Sequence, residues 1–483
     1  MFSKTKILSL LTLLLLFTPQ LSLQTQPTIC IIGAGMAGSS LAHFLRRYSP
    51  PTTPHPPHIH IFERNGVVGG RMGTVTISNH TFEAGASILH PKNYHAVNFT
   101  KLLNLKIKQP SSSDESNSFG IWDGEQFVFK TLSVDSKVPF VQKIVSFANS
   151  VYIFMRYGCA VGRFLKYYES LERRPVFESV DEMLKWAGLY NLTTRSLREE
   201  VGDVGLTRLL TQELVTVITR INYGQSIDIS GLAGAVSLAG SGGGLWAVEG
   251  GNWQMAAGLI NRSDVALHLH EEIESISYLG GYYELNSTKG NSYTCEVTAV
   301  ATPLDELNLR FSPPILIPER KLQHTHATFV RGILNPVYFG LDDVSKIPDL
   351  VGTIEDPDLP LTSISILKRH GEKDISYKIF SRKPMADSLL DDIFSARRET
   401  IRIDWGAYPH YTAPEVFAPF ILDGQHLYYV NAFENAASTM ETSAVAAENI
   451  ARLIVSRFFG SESLCSSNLK SFSFDGEELH VDL

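Results

Sequence analysis

An α/β fold is expected for this chain, because two short apolar runs flank a glycine-rich turn and a helical pattern. Residues 28–45 read TICIIGAGMAGSSLAHFL. Ile29 to Ile32 form a run too compact for a helix and suited to a strand buried on both faces. Gly33, Gly35 and Gly38 follow at G-x-G-x-x-G spacing, and Met36 to Leu45 carry an apolar helical period. The first glycine permits a tight turn and the second lets backbone approach a pyrophosphate. The third lets helix and strand pack closely, with phosphates at the helix N-terminus. A second alternating run, HIHIFERN, ends a strand in Glu63, where a ribose hydroxyl needs an acidic acceptor. The stretch SPPTTPHPPH between them reads as a surface loop. Strand, glycines, helix, strand and acid in that order predict Rossmann-type dinucleotide binding.

Further along, PSSSDESNS (110–118) reads as a polar loop, and the pattern from about Val138 to Arg220 is helical. There Val141, Ile144, Val145, Ala148, Tyr152 and Met155 share one face. Ser179 and Glu182 form a capping-box signature. SGGGLW (241–246) is a glycine-rich loop. VALHLHEEIESISY and GYYELNS suggest a hairpin, and TCEVTAVATP suggests one more buried strand. LYYVNAF is a final buried strand before a helix over about 438–459. The nucleotide-binding material is therefore expected in three pieces, 27–108, 229–305 and 401–460. An α+β substrate domain is inserted as 109–228, mostly helical, and 306–400, and residues 461–483 form a tail.

The formal net charge of −8 and a pI near 6.0, with no run of Lys or Arg, exclude a nucleic-acid surface. Lys4 and Lys6 precede an apolar run from Ile7 to Phe17 that is short for a bilayer span, so residues 1–24 read as a secretory signal peptide, with an uncleaved anchor as the alternative because no clean A-x-A site follows. Sequons at Asn79, Asn98, Asn191, Asn261 and Asn286 agree with glycosylation in a lumenal compartment. Of four cysteines, Cys30 and Cys295 sit in strand-like runs and read as small core residues, with one bridge left open.

The cofactor is decided by later motifs. After Glu63 comes RNGVVGGRM, in which Gly69 and Gly70 let backbone approach a pyrophosphate from the other side and Arg71 offers a cationic fork. Simple nicotinamide dehydrogenases have no need of this element. In FEAGASILHP the small residues around Ala86 and Ser87 let a flat ring lie against backbone. YYVNAFENAASTMETSAVAAENI brings a strand end and a helix N-terminus together, which suits charge growing on a reduced flavin. Ile273, Ala301, Glu434 and Ser438 join the candidate FAD-binding residues.

These motifs, with WAVEGGNWQM and ATP at 301–303, resemble the flavin-containing amine oxidase superfamily. Within it, FEAGASILHPKNYH, RINYGQSIDISGLAGAVSLAGSGGGLWAVEGGN, ATPLDEL and ENAASTMETSAVAAENIA look like the prenylcysteine oxidase family, called farnesylcysteine lyase in plants. The resemblance spans about residues 27–460. It implies a thioether oxidase with non-covalent FAD that converts farnesyl- or geranylgeranylcysteine, water and O2 to cysteine, a prenyl aldehyde and hydrogen peroxide. It also implies a lysosomal or vacuolar home reached through the secretory pathway. The amine oxidases carry an arginine two residues ahead of the glycine pair, where this chain has Val67. Cys465 lies beyond the last helix, which argues against covalent flavin attachment.

The cofactor carries such chemistry, so no catalytic side chain stands out. Glu249 and His90 lie in flavin-proximal stretches, where each reads first as structural and orienting water is the alternative. Trp246 and Trp253 read as core packing, and the apolar helices of 138–170 either frame a prenyl channel or lean on a membrane. His55, His58, His60, His324 and His326 lack metal-ligand spacing. No segment points to an obligate protein partner. Two other readings stand beside the leading one: a secreted flavin amine or polyamine oxidase, and a non-catalytic prenyl-binding escort.

Overall fold

The computed structural model describes residues 26–49, 56–108, 118–130, 160–241, 244–371 and 374–460. The signal segment, the 141–155 apolar stripe, the core of the proline-rich loop, Cys159 and Cys465 lie outside them. A five-stranded parallel sheet runs in the order Leu427–Tyr429, Val297–Val300, Thr28–Ile32, His58–Glu63, Ala266–Leu269. Thr28–Ile32 is central and is buried along nearly its whole length, as its unbroken apolar run requires. Helix Met36–Tyr48 packs on the strand Thr28–Ile32 and on helix Met440–Phe458, and most residues of both helices are buried. The sheet thus draws on chain segments hundreds of residues apart, in agreement with an assembly from discontinuous pieces.

A second, seven-stranded sheet runs Phe394–Pro409, Leu322–Leu334, Asp374–Ser381, Ser363–Gly371, Leu350–Thr353, Phe119–Trp122, Phe127–Lys130. Its neighbours are antiparallel except Leu350–Thr353 with Phe119–Trp122. The expected 400/401 division falls inside the strand Phe394–Pro409. In the chain between the strands Phe127–Lys130 and Ala247–Val248 come helices Val180–Ala187, Leu197–Asp203, Thr216–Tyr223 and Gly231–Ala239. At the first of these Ser179 accepts from the Glu182 N–H, but the Glu182 carboxylate takes the N–H of Glu178, so the predicted capping box is half formed. Complete boxes stand instead at Ser196–Glu199 and Thr439–Thr442.

Two predicted strands are split. VALHLHEEIESISY breaks at His270, whose φ of +56° ends the parallel strand Ala266–Leu269. Only Ile273–Tyr278 pairs with Tyr283–Ser287 as the hairpin. Likewise TCEVTAVATP divides at Glu296 between the antiparallel Ser292–Cys295 and the parallel Val297–Val300. Cys30 and Cys295, read as separate core residues, form a disulfide. Both sulfurs are buried, because Cys30 lies in the central strand and Cys295 ends the strand passing beside it. Asn79, Asn98, Asn191 and Asn261 are exposed, whereas Asn286 is half-buried and donates to Ser275 and Glu284. Among the described residues no helix is long and apolar enough to cross a membrane.

Candidate active site

The first fingerprint builds half of a cradle. Gly33 adopts a φ of +109°, open to glycine, and donates its N–H to Phe62 at 2.8 Å. Gly35 caps the helix Met36–Tyr48 with no side-chain acceptor on its first-turn amides, and Gly35, Met36 and Ala37 face a cavity. Uncapped amides at the positive end of a thirteen-residue helix form an anion site. The second glycine pair closes against the first: Gly69 donates to Ala34 at 2.9 Å, and a Cβ on Gly70 would sit 3.3 Å from Gly35 Cα. Glu63 reaches the same cavity and accepts from Ala34 N–H and from Asn65. Asn431 also faces it, with a buried Oδ1 that has no partner among the described residues. Side-chain-free backbone, open amides and an orphaned acceptor fit a dinucleotide bearing a pyrophosphate.

Of the predicted cofactor residues, all but Gly38, Ile273 and Glu434 line this one cavity. Gly38 sits behind it, pressed on Gly33. Ile273 is in the core at the start of its strand. Glu434 lies a layer back, where it pairs with Arg71, accepts from Ser438 Oγ at 2.7 Å and takes the Asn431 amide at 3.0 Å. Burial alone pushes its carboxyl up, but Arg71 and the two hydrogen bonds hold it below the usual carboxylate range. The Arg71 guanidinium is therefore engaged by Glu434 and by the Ala407 carbonyl at 2.9 Å. Both contacts are made by Nη1.

The segment Gly85–Ser87 is held from behind. Lys378, buried on the second sheet, donates to the Glu83 carbonyl at 3.0 Å and to Ser87 Oγ at 3.2 Å. Glu83 Oε1 accepts from Asn252 N–H, whose side-chain amide donates to Ala86 at 2.8 Å. Burial raises the Glu83 carboxyl to about 7 and lowers the Lys378 amine to about 8. In the unfolded chain Glu83 titrates near 4.5, so as pH climbs from there to 7 the folded state keeps a proton that the unfolded state sheds. Stability must fall across that window. Glu83→Gln cannot ionise, and its advantage over wild type should grow to on the order of 2 kcal/mol between pH 5 and 7.5. Denaturant midpoints at both pH values check this, and a pH-independent difference contradicts it.

The cavity has a volume of about 640 Å³ and continues past the cradle into an apolar pouch. The pouch is walled by Phe164, Leu165, Leu232, Ala235, Val236 and Leu245. Helix Gly231–Ala239 presents one wall, and Ser230 caps it by accepting from Ala233 N–H. His90 faces the cavity, its imidazole lowered by burial and by Lys92. Glu249 is exposed outside it, so the alternative role in orienting water has no support. Trp246 is buried and donates to the His90 carbonyl at 3.3 Å. Trp253 is 37% exposed and covers Gly69 instead of filling the core.

Sequence reasoning missed the sheet wall. His324, Asp404, Trp405 and Tyr408 line the cavity from the strands Leu322–Leu334 and Phe394–Pro409. A bulge re-aims them: Gln323 faces Tyr408 and His324 faces Gly406, which leaves Ala407 unpaired to offer its carbonyl to Arg71. The HTH spacing at 324–326 puts both imidazoles on one strand face, the single signal available beforehand. No group of three or more metal-ligating side chains occurs among the described residues.

Residues 31–103 match an NAD(P)-binding Rossmann-like domain, and residues 140–466 match the prenylcysteine lyase family. A farnesylcysteine lyase of Arabidopsis thaliana is 63% identical over 94% of this chain and 93% of its own length. Prenylcysteine oxidase 1 of Homo sapiens is 32% identical over 89% of each chain. A putrescine oxidase structure superposes with a TM-score of 0.61 at 12% identity, covering 89% of this chain and 99% of that one. Cyclohexylamine oxidase from Brevibacterium oxydans gives 0.60 at 15%, covering 90% and 100%. Those two structures share the α/β fold. With most of both sequences aligned to the Arabidopsis enzyme and the family's own match spanning the pouch helices and the sheet wall, the chain belongs to the prenylcysteine lyase family.

Proposed function

We propose that this protein is an FAD-dependent thioether oxidase that cleaves S-prenyl-L-cysteine with water and O2 to free cysteine, a prenyl aldehyde and hydrogen peroxide. The observation that carries the reading is the continuity of one cavity from a dinucleotide cradle to an apolar pouch. Bound FAD supplies two-electron oxidation of the carbon beside sulfur, with O2 as final acceptor. Gly33, Gly35, Gly69 and Gly70 hold its pyrophosphate and Glu63 its ribose. The Gly85–Ser87 backbone and the helix N-terminus at Met440–Thr442 border its ring. The reacting carbon is allylic and next to sulfur, so positive charge there is shared and no strong protein base is required. Phe164, Leu232, Ala235 and Leu245 take up the prenyl chain, each buried CH2 contributing about 0.8 kcal/mol.

Filling that pouch should discriminate by chain length. Ala235→Trp is expected to raise KM for geranylgeranylcysteine by roughly 10-fold or more and for farnesylcysteine by less, since the longer chain loses more room. Equal effects on both substrates contradict the pouch assignment. Peroxide release measured side by side with farnesylcysteine and spermine separates thioether from amine oxidation. Peroxide from spermine alone ends the present reading.

For location we infer a lysosome or vacuole reached through the secretory pathway, with N-glycans on the exposed sequons. Support comes from the basic-then-apolar N-terminus, from four exposed sequons and from the Cys30–Cys295 bridge, which persists in oxidising compartments. Endoglycosidase treatment of the native protein should increase its electrophoretic mobility. Unchanged mobility contradicts the glycosylated, lumenal assignment.

A further inference from the structure

A prenylcysteine brings an α-carboxylate to the cavity together with its apolar chain, and a carboxylate leaving water needs donors in its place. Five basic residues line the cavity: Arg64, Arg71, His90, Lys92 and His324. Arg64 follows Glu63, at the end of the cradle where the proposed function sets the ribose. Arg71 follows Gly70 in the same cradle and spends Nη1 on Glu434 and on the Ala407 carbonyl. His324 pairs with Asp404 at 3.1 Å. His90 and Lys92 differ, because they stand together just past the segment Gly85–Ser87.

The turn that carries them is pinned on several sides. His90 donates its N–H to Asn93 Oδ1 at 2.7 Å, and its carbonyl accepts from Asn93 N–H at 2.9 Å and from the Trp246 indole at 3.3 Å. Leu89, one residue back, pairs with Trp246 through both backbone groups. His90 Nδ1 accepts the Lys92 N–H at 3.1 Å, so the neutral ring carries its hydrogen on Nε2. Burial and then the Lys92 ammonium lower this imidazole, which sets that charge near the ring. His90 is half-buried, while Pro91 and Lys92 are exposed at the mouth. Position agrees with charge. Three steps of chain separate His90 from Ser87, a reach of at most roughly 11 Å. The substrate's carboxyl carbon is four bonds from the carbon to be oxidised, so its anchor belongs at the mouth beside the cofactor ring and not deep in the pouch.

Resting on that reading of the function, we propose that His90 Nε2–H and the Lys92 ammonium hold the substrate's α-carboxylate. The test is calorimetric titration of the FAD-loaded protein with S-dodecylcysteine and with S-dodecylcysteamine, which lacks the carboxylate. Their saturated chains lack the allylic activation that oxidation needs, so binding is read alone. His90→Phe keeps a ring and removes the donor. It should weaken the carboxylate ligand by at least ~10-fold, leave the other within about twofold, and retain the visible absorbance of wild type. His90→Gln, whose amide N–H reaches the place of Nε2, should recover most of the loss. Lys92→Met, at an exposed position where folding is not at stake, should weaken the carboxylate ligand by roughly threefold. In turnover of farnesylcysteine the His90→Phe loss should fall on KM more than on kcat. A loss in kcat with binding unchanged gives His90 to water and overturns the anchor. Equal weakening of both ligands, or of neither, also overturns it, and an unaffected Lys92→Met removes the lysine's share. Wild-type protein that binds neither ligand contradicts the function itself, and the assignment with it.

Discussion

Gly38→Ala is expected to yield a colourless, destabilised protein. The added Cβ would lie 2.0 Å from the Gly33 carbonyl oxygen and 3.2 Å from Ile31 Cγ2. Neither backbone can yield cheaply, because Gly33 is tied to the neighbouring strand through Phe62 and Ile31 is in the central strand. Helix Met36–Tyr48 must shift outward, carrying its open amides away from the phosphate position. The cost should be roughly 3 kcal/mol or more, from overpacking in a rigid core. Visible absorbance near ~450 nm, the mark of bound flavin, should be lost. Gly73→Ala is the matched control, since nothing lies within 4 Å of its Cβ position. Absorbance per protein and denaturant midpoint check both variants. A yellow Gly38→Ala protein of wild-type stability contradicts the proposed cradle.

The next largest effect is expected at Glu434. Glutamine there keeps the shape but strips Arg71 of its counter-charge, in a network that also holds Asn431 and Ser438. Breaking one side of such a pair costs roughly 3 kcal/mol, less where the cation retains solvent, and the Arg71 side chain is 30% exposed. Flavin retention should fall as well, since Arg71 and Asn431 both face the cavity. The double variant Arg71→Met with Glu434→Gln should recover part of the loss, because no unpaired charge then remains. Additive losses in the double-mutant cycle contradict direct coupling.

The parts legible beforehand were those encoded locally. Residues 28–45 carry strand, turn and helix in one stretch, and the reason for each glycine lies within a few residues of it. Glu434 was placed one layer too far forward, because its role is set by Arg71, which is remote in sequence. Cys30 and Cys295 carry no mark that they pair, since each sits in an ordinary apolar strand. His324 and His326 stand two apart in the sequence, a spacing that marks one strand face but no metal site. Their partner Asp404 lies on another strand, in register fixed by a bulge at Ala407 that alternation does not reveal. The strand breaks at His270 and Glu296 were hidden for the same reason: both flanking runs are apolar enough to read as one. Tertiary pairing decides which sheet each half joins.

If this cavity presents a prenylcysteine to a bound, oxidised flavin, the substrate must reduce that flavin directly. The visible spectrum of the purified protein, recorded before and after adding farnesylcysteine with air excluded, addresses it most directly. The band near ~450 nm should bleach on addition and return when air is admitted. A band that persists unchanged contradicts it.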